Sequence, residues 1–218
     1  MANSTTRERQ ASRGGQRAWG VVALGMALAL TARADAGGVT PPEVPEKLRV
    51  GDDFVAFLVG HATGTQNYVC LPSTTSPTGF AYTLFTPQAT LFTDQGHQVT
   101  THFFSPNPAE GGVVRATWEH SQDTSTVWGR VKEQSSDSPF VTPGAIPWLL
   151  IEIKGAYAQP TGSHKLAGTK LIHRVNTVGG SAPETGCASS EDIGKRAYVP
   201  YAADYFFYES RHPEADGN

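Results

Sequence analysis

"GTQNYVC", Gly64 to Cys70, ends in one of only two cysteines in a chain of 218 residues. The stretch reads as the end of a β-strand, with Asn67 to Leu71 continuing or pairing with the apolar run "FVAFLV" (Phe54 to Val59) across a turn at "GHATGT". Whether Cys70 is free or bridged depends on the compartment, and the first residues speak to that. Arg7, Arg9, Arg13 and Arg17 form a basic leader, Ala18 to Leu30 is an apolar run, and Ala34 and Ala36 stand in an A-x-A pattern. Basic, apolar and small-residue segments in that order make a secretory signal, expected to be cleaved after Ala36. The run is shorter than the roughly 20 residues of a membrane span, so no stable membrane anchor is expected. Two lone cysteines in an exported chain read as one disulfide. Cys187 is then the only partner available to Cys70. Their spacing excludes a CxxC redox pair, and two cysteines cannot supply a cysteine-rich zinc site.

Removing residues 1–36 takes away five of 17 bases and two of 20 acids, which leaves a net charge of −6. A mildly acidic surface promotes solubility and argues against nucleic acid or anionic membrane as a partner. What remains is long enough for one domain with a substantial core. The expected organisation is a signal peptide over 1–36, a Pro-rich extended lead-in over 37–48, a β-rich domain over 49–209 and a flexible tail over 210–218. The leader points to a secreted or periplasmic protein.

Beyond the lead-in the chain is a series of short runs rich in Val, Ile, Thr and aromatics: "FAYTLF", "ATLFT", "HQVTTHFF", "VVRATWEH", "TVWGRVKE", "WLLIEIKGAYA", "KLIHRVNTV" and "YAADYFFYE". Such side chains fit a pleated surface. Gly- and Pro-rich connectors separate them, and a helical period is nearly absent; the best helix candidate is the short "SSEDIGK", with Ser189 and Asp192 as a capping pair. The pattern predicts an all-β fold, an antiparallel β-sandwich or barrel, as a single domain with one disulfide. Alternation in the last run puts Tyr201, Ala203, Tyr205 and Phe207 on one face and Asp204 with Phe206 and Tyr208 on the other. A carboxylate among aromatics needs a partner, and Arg174 is one candidate for Asp204; the other reading has each facing water on its own.

Several stretches resemble one family. "GTQNYVC" is similar to G-x-Q-x-Y-x-C, and "PQATLFTDQGHQVTTHFF" to P-x-A-x-L followed by D-x-x-G and a strand ending in His. "HRVNTVGGSAP" and "VPYAADYFFY" resemble R-V-N-T-x-G-G-x-A-P and P-Y-x-A-D-Y-x-F-Y. Together these match the domain-of-unknown-function 3455 family of secreted bacterial and fungal proteins over Pro41 to Tyr208. The resemblance implies one exported domain and supports the Cys70–Cys187 pairing, but it brings no established activity. The "malate dehydrogenase" name that some members carry finds no support here: no G-x-G-x-x-G follows a strand, and no β-α-β pattern holds a dinucleotide. Two turns depart from the family pattern. Ser105 stands where a glycine is expected, with no tryptophan at Asn107 or Pro108. In "DTSTV" Thr124 replaces the expected glycine.

No catalytic constellation stands out. A G-x-S-x-G elbow is missing, and paired carboxylates suited to a sugar are not evident. Of the metal-type residues His97, His102, Glu119, His120 and Asp123, only His102, His120 and Asp123 can converge, and only if their strands are neighbours; partly buried polar residues are the plainer reading. No catalytic residue, metal or cofactor is expected. An aromatic-rich β-protein suits a binding role. The candidate ligand-binding residues are Gln66, Tyr68, His102, Trp118, His120, Arg174, Asn176 and Asp204, with a small molecule or glycan as the expected partner. The alternatives are an envelope structural component, or a hydrolase or metal-dependent enzyme with an unrecognised site.

Overall fold

The β-rich runs and their Gly- and Pro-rich connectors build eight antiparallel strands: β1 (Phe54–Pro72), β2 (Phe80–Phe92), β3 (Gln98–Asn107), β4 (Val113–His120), β5 (Thr126–Ser135), β6 (Trp148–Tyr157), β7 (Leu171–Gly179) and β8 (Arg196–Ser210). Each pairs with its sequence neighbours, and β8 pairs back with β1, so the sheet closes into an up-and-down barrel. The computed structural model describes residues 39–158 and 164–212. The chain divides into Met1–Asp35 and Ala36–Asn218, and all that follows concerns the second unit. The leader and the last residues of the tail lie outside the described residues.

Two expected breaks are absent. "GHATGT" is not a turn: β1 runs straight through it, paired with β2 on one side and β8 on the other. Gly64 permits this, because Ala89 and the Gln88 carbonyl approach so closely that any Cβ would collide with them. "FAYTLF" and "ATLFT" likewise form one strand through Pro87, which sits just where β2 parts from β3, so its missing N–H breaks no β2–β3 bond. The "SSEDIGK" segment is only a 3-10 turn over Ser190–Asp192, but Ser189 and Asp192 do form the capping box.

Alternation fills the two sides of the sheet separately. Inside lie Ala62, Leu91, Trp118, Val127, Ile172, Tyr201, Ala203, Tyr205 and Phe207. The four β8 residues among them are the face read from the sequence. The opposite faces of β6 to β8 carry Trp148, Leu150, Leu171, Val175, Phe206 and Tyr208, which pack a second core outside the barrel. The lead-in covers it with Val44 and the fully buried Leu48. His173 fixes this lead-in: its Nε2–H donates to the Leu48 carbonyl at 2.6 Å, and its Nδ1 accepts from the Tyr208 hydroxyl at 2.8 Å. "FVAFLV" is apolar throughout because its two faces serve the two cores, Phe57 and Leu58 facing one and Phe54 and Val59 the other.

One end of the barrel is plugged by the connection from β6 to β7. Leu166 enters the inner core. Its N–H donates to Ser125 Oγ at 3.0 Å, and the Lys165 N–H donates to Asp123 at 2.9 Å. Burial disfavours a charge on Asp123, yet the Lys165 N–H and the N–H and hydroxyl of Ser125 hold its carboxyl well below the usual range. The turn that presents Asp123 bends through Thr124 at φ +56°. This is the position where the resemblance leads to a glycine being expected, and the left-handed region is costly for a β-branched side chain. Thr124→Gly should therefore stabilise the protein by about 0.5–1 kcal/mol, the strain relieved being partly offset by the freer unfolded chain. A melting temperature raised by roughly 1–4 °C would report it; a lowered one would show that the Thr124 hydroxyl bond to the Asp123 carbonyl, 2.8 Å long, outweighs the strain.

Candidate functional site

The unplugged end is open because neighbouring strands part there. The β2–β3 ladder stops at Ala89 opposite His102, and the β4–β5 ladder stops at Ala116 opposite Gly129. Beyond these pairs the walls are no longer laced together, and a cavity of about 450 Å³ enters the barrel. That lies in the range of small-molecule sites, which recur in the mouths of barrels. A larger depression of about 940 Å³, beside Lys132 and Arg211, shares none of this lining.

The cavity has a mixed lining. Phe104, Ala116, Leu149 and Ile151 are its apolar lining, and Gln66 of β1, Arg174 of β7 and Tyr205 of β8 its polar lining, with Leu149 directly beside Arg174 across β6 and β7. His102 and Trp118 also line it, their rings stacked 4.3 Å apart, with Tyr205 tilted against both. The His102 Nδ1–H donates to the Thr117 carbonyl at 2.8 Å. Burial pushes its pKa down to about 3, against the upward pull of that bond, so the ring is neutral at ordinary pH. Tyr201 and Tyr205 stand four residues apart on the inner face of β8. Burial keeps both hydroxyls protonated, and the positive charge of Arg174 opposes this only in part.

Arg174 is the polar centre of the mouth. Its Nε and Nη2 donate to the Pro147 carbonyl at 3.2 and 2.9 Å. The other two arginines of the cavity have carboxylates: Arg115 pairs with Glu110 at 2.7 Å and Arg130 with Glu152 at 3.3 Å. Arg174 has no acidic partner among the described residues, and no Asp or Glu lines the cavity. Gln66 Nε2 and Trp118 Nε1 are buried donors that no described group accepts from. The Tyr201 hydroxyl lies near the Gln66 amide but does not complete a bond to Nε2. Unsatisfied buried donors are uncommon in folded proteins, and these two belong to residues that line one cavity beside a cation with no carboxylate partner among the described residues.

The structure thus brings Gln66, His102, Trp118 and Arg174 together. Tyr68 lies close by, but its hydroxyl is spent on the Gly180 carbonyl at 2.6 Å. His120 is at the plugged end, where its Nδ1 accepts from the N–H groups of Gln122 and Asp123 at 3.3 Å. It does not join His102, although β3 and β4 are neighbours, and among the described residues no three His, Cys, Asp or Glu side chains are grouped to hold a metal. Asn176 and Asp204 are on the outer face. The pairing of Asp204 with Arg174 is corrected. Tyr205 is the residue opposite Arg174 across β7 and β8, and Asp204 lies opposite Val175, so the two charges point to opposite sides of the sheet. Asp204 instead binds His61 Nδ1 at 2.6 Å and accepts from the Asn176 amide at 2.7 Å. Ser105, at a position where the family has glycine, accepts from Trp128 Nε1 at 2.9 Å on the outside of the barrel. Phe104, Ala116, Leu149 and Ile151 were not foreseen as lining; the even alternation of β3 and β4 with His102 and Trp118 was the signal available for the first two.

No helix among the described residues is long and apolar enough to cross a membrane. No curated protein and no solved structure matches the chain. The model of the DUF3455 family, described as a protein of unknown function, matches residues 53–209, and the chain belongs to that family.

Proposed function

We propose that this member of the DUF3455 family is an exported, non-catalytic binding protein that holds a small molecule in the mouth of its barrel. The observation that carries the reading is the open, apolar-walled cavity with buried donors lacking protein partners. Protein interiors are close-packed, and a structural role would be served by a filled barrel. Catalysis is less well supported. The one titratable ring in the cavity is held neutral by burial, and its Nδ1 proton is committed to the Thr117 carbonyl. A glycan platform is less well supported too, because Trp118, Tyr201 and Tyr205 face inward. Export is supported by the basic, apolar and A-x-A order of the first 36 residues, and the disulfide is compatible with it.

A neutral apolar dye, N-phenyl-1-naphthylamine, tests the cavity itself. It should bind the protein with a fluorescence rise. Ala116→Trp, which places an indole in the mouth, should weaken binding at least about tenfold, the scale of losing a few buried carbons. Equal binding by both proteins would mean that the dye sits elsewhere and the mouth is not the site.

A further inference from the structure

Resting on that reading, we infer that the mouth takes a small amphipathic carboxylate, its head group held by Arg174, Gln66 and Trp118 and its apolar body lying along Ala116, Leu149 and Ile151. The two unpartnered buried atoms of the lining, Gln66 Nε2 and Trp118 Nε1, are both donors, and the neutral His102 ring adds only its Nε2 as an acceptor. Gln66, only 2 % exposed, has an amide N–H₂ without an acceptor, and the Trp118 indole N–H is in the same state. Indole offers a donor only, and guanidinium offers donors and a charge. A ligand satisfying all three must present acceptors, and a carboxylate presents two oxygens with four lone-pair directions plus the charge that Arg174 lacks. The sign is set by the lining. At the rim Arg115 is paired with Glu110, and Arg130 shares Glu152 with Lys154, whereas Arg174 has no carboxylate at all among the described residues. Its charge is felt by Tyr68, His102, Tyr201 and Tyr205, which marks it as the electrostatic source of the inner mouth. A cation would meet this field with no acid to receive it. The second half of the ligand follows from the apolar lining: Leu149 lies directly beside Arg174 across β6 and β7, and Phe104, Ala116 and Ile151 continue the apolar surface. A short apolar chain or ring would cover them while the head group stays at β1 and β7. The pull of Pro147 on two guanidinium nitrogens holds Arg174 in place before the ligand arrives, which lowers the ordering cost of binding.

Calorimetric titration with octanoate, octan-1-ol and octyltrimethylammonium tests this. Octanoate should bind at least about tenfold tighter than the alcohol, as a charge-assisted pair implies, and the ammonium should not bind. Gln66→Met removes the amide donors at constant length. It should weaken octanoate several-fold and leave the alcohol unchanged, while raising the melting temperature, because an unsatisfied buried group has been replaced by an apolar one. Those opposite signs separate a ligand-binding donor from a structural one. Arg174→Lys, which keeps the charge and loses the fork, should retain part of the preference for octanoate. If octanoate and octanol bind alike while N-phenyl-1-naphthylamine still enters the mouth, the head-group assignment is wrong and the cavity reading stands. If neither octyl ligand binds and the dye still enters, the assignment is again wrong. If the dye also fails to bind, both fall.

Discussion

Replacing Cys70 and Cys187 together by serine should lower the unfolding free energy by about 4–5 kcal/mol, the loss expected for a bridge that closes so long a loop. The two cysteines are 117 residues apart in sequence. Six of the eight strands, β2 to β7, lie between them, so the open chain gains much freedom when the link is cut. At about 2–4 °C per kcal/mol for a domain of this size, the melting temperature should fall by roughly 8–20 °C. The bridge also has a local task. It joins the end of β1 to the connection from β7 to β8, whose first residue, Gly180, packs behind Gln66. Backbone bonds from Cys70 N–H to the Lys195 carbonyl (2.9 Å) and from Gly194 N–H to the Cys70 carbonyl (3.0 Å) hold its far end. Gly180, at φ +84°, holds the near end against Tyr201 and Gln66, where any Cβ would crowd both. Urea unfolding of the double variant measures the loss. A change below about 1 kcal/mol would mean that these backbone bonds already restrain the loop in the unfolded chain.

Acid should destabilise the protein well above the range in which its carboxylates titrate. The folded pKa of His102 is near 3, depressed by burial, and His173 is shifted down for the same reason. Unfolded, both take up protons near pH 6.5. The unfolded state therefore binds more protons than the native state between about 6.5 and the folded values, and stability falls as pH falls through that window. At pH 4.5 His102 alone should have cost about 2.5 kcal/mol relative to pH 7. His61 works the other way. Its hydrogen bond to Asp204, aided by Asp94, raises its pKa, so its contribution is present at low pH and is lost as pH rises. It is well exposed, and its effect is small beside the buried pair. Unfolding free energies at pH 7 and 4.5, for the natural chain and for His102→Gln, give the slope. The variant should lose the His102 share of the acid effect, and a slope that it leaves intact would place the titration elsewhere.

The strand inventory was legible in the residues because each run alternates or is continuously apolar for a physical reason. Tyr201, Ala203, Tyr205 and Phe207 could be placed on one face from period two alone. Sandwich and barrel could not be told apart, since closure rests on β1 meeting β8, a pairing across more than a hundred residues that leaves no local mark. The breaks at "GHATGT" and Pro87 were misread because turn chemistry and strand chemistry share glycine and proline. Only the approach of Ala89 to Gly64 shows that the glycine serves packing. Half of the candidate site was visible as polar residues in aromatic strands: Gln66, His102, Trp118 and Arg174. Asp204, Asn176 and His120 looked the same in sequence. The register of β7 against β8, and the turn through Thr124, send them to the outer face and the plugged end. The cavity itself comes from where two ladders stop, which no periodicity records.

The proposed barrel mouth receives an anionic head group on Arg174. A crystal structure of the protein grown with octanoate tests this most directly. The account predicts the carboxylate within hydrogen-bond distance of the Arg174 guanidinium and Gln66 Nε2, with the alkyl chain against Leu149 and Ile151. Octanoate lying head-outward at the rim, or a mouth filled by protein side chains with octanoate bound only on the outer surface, would contradict it.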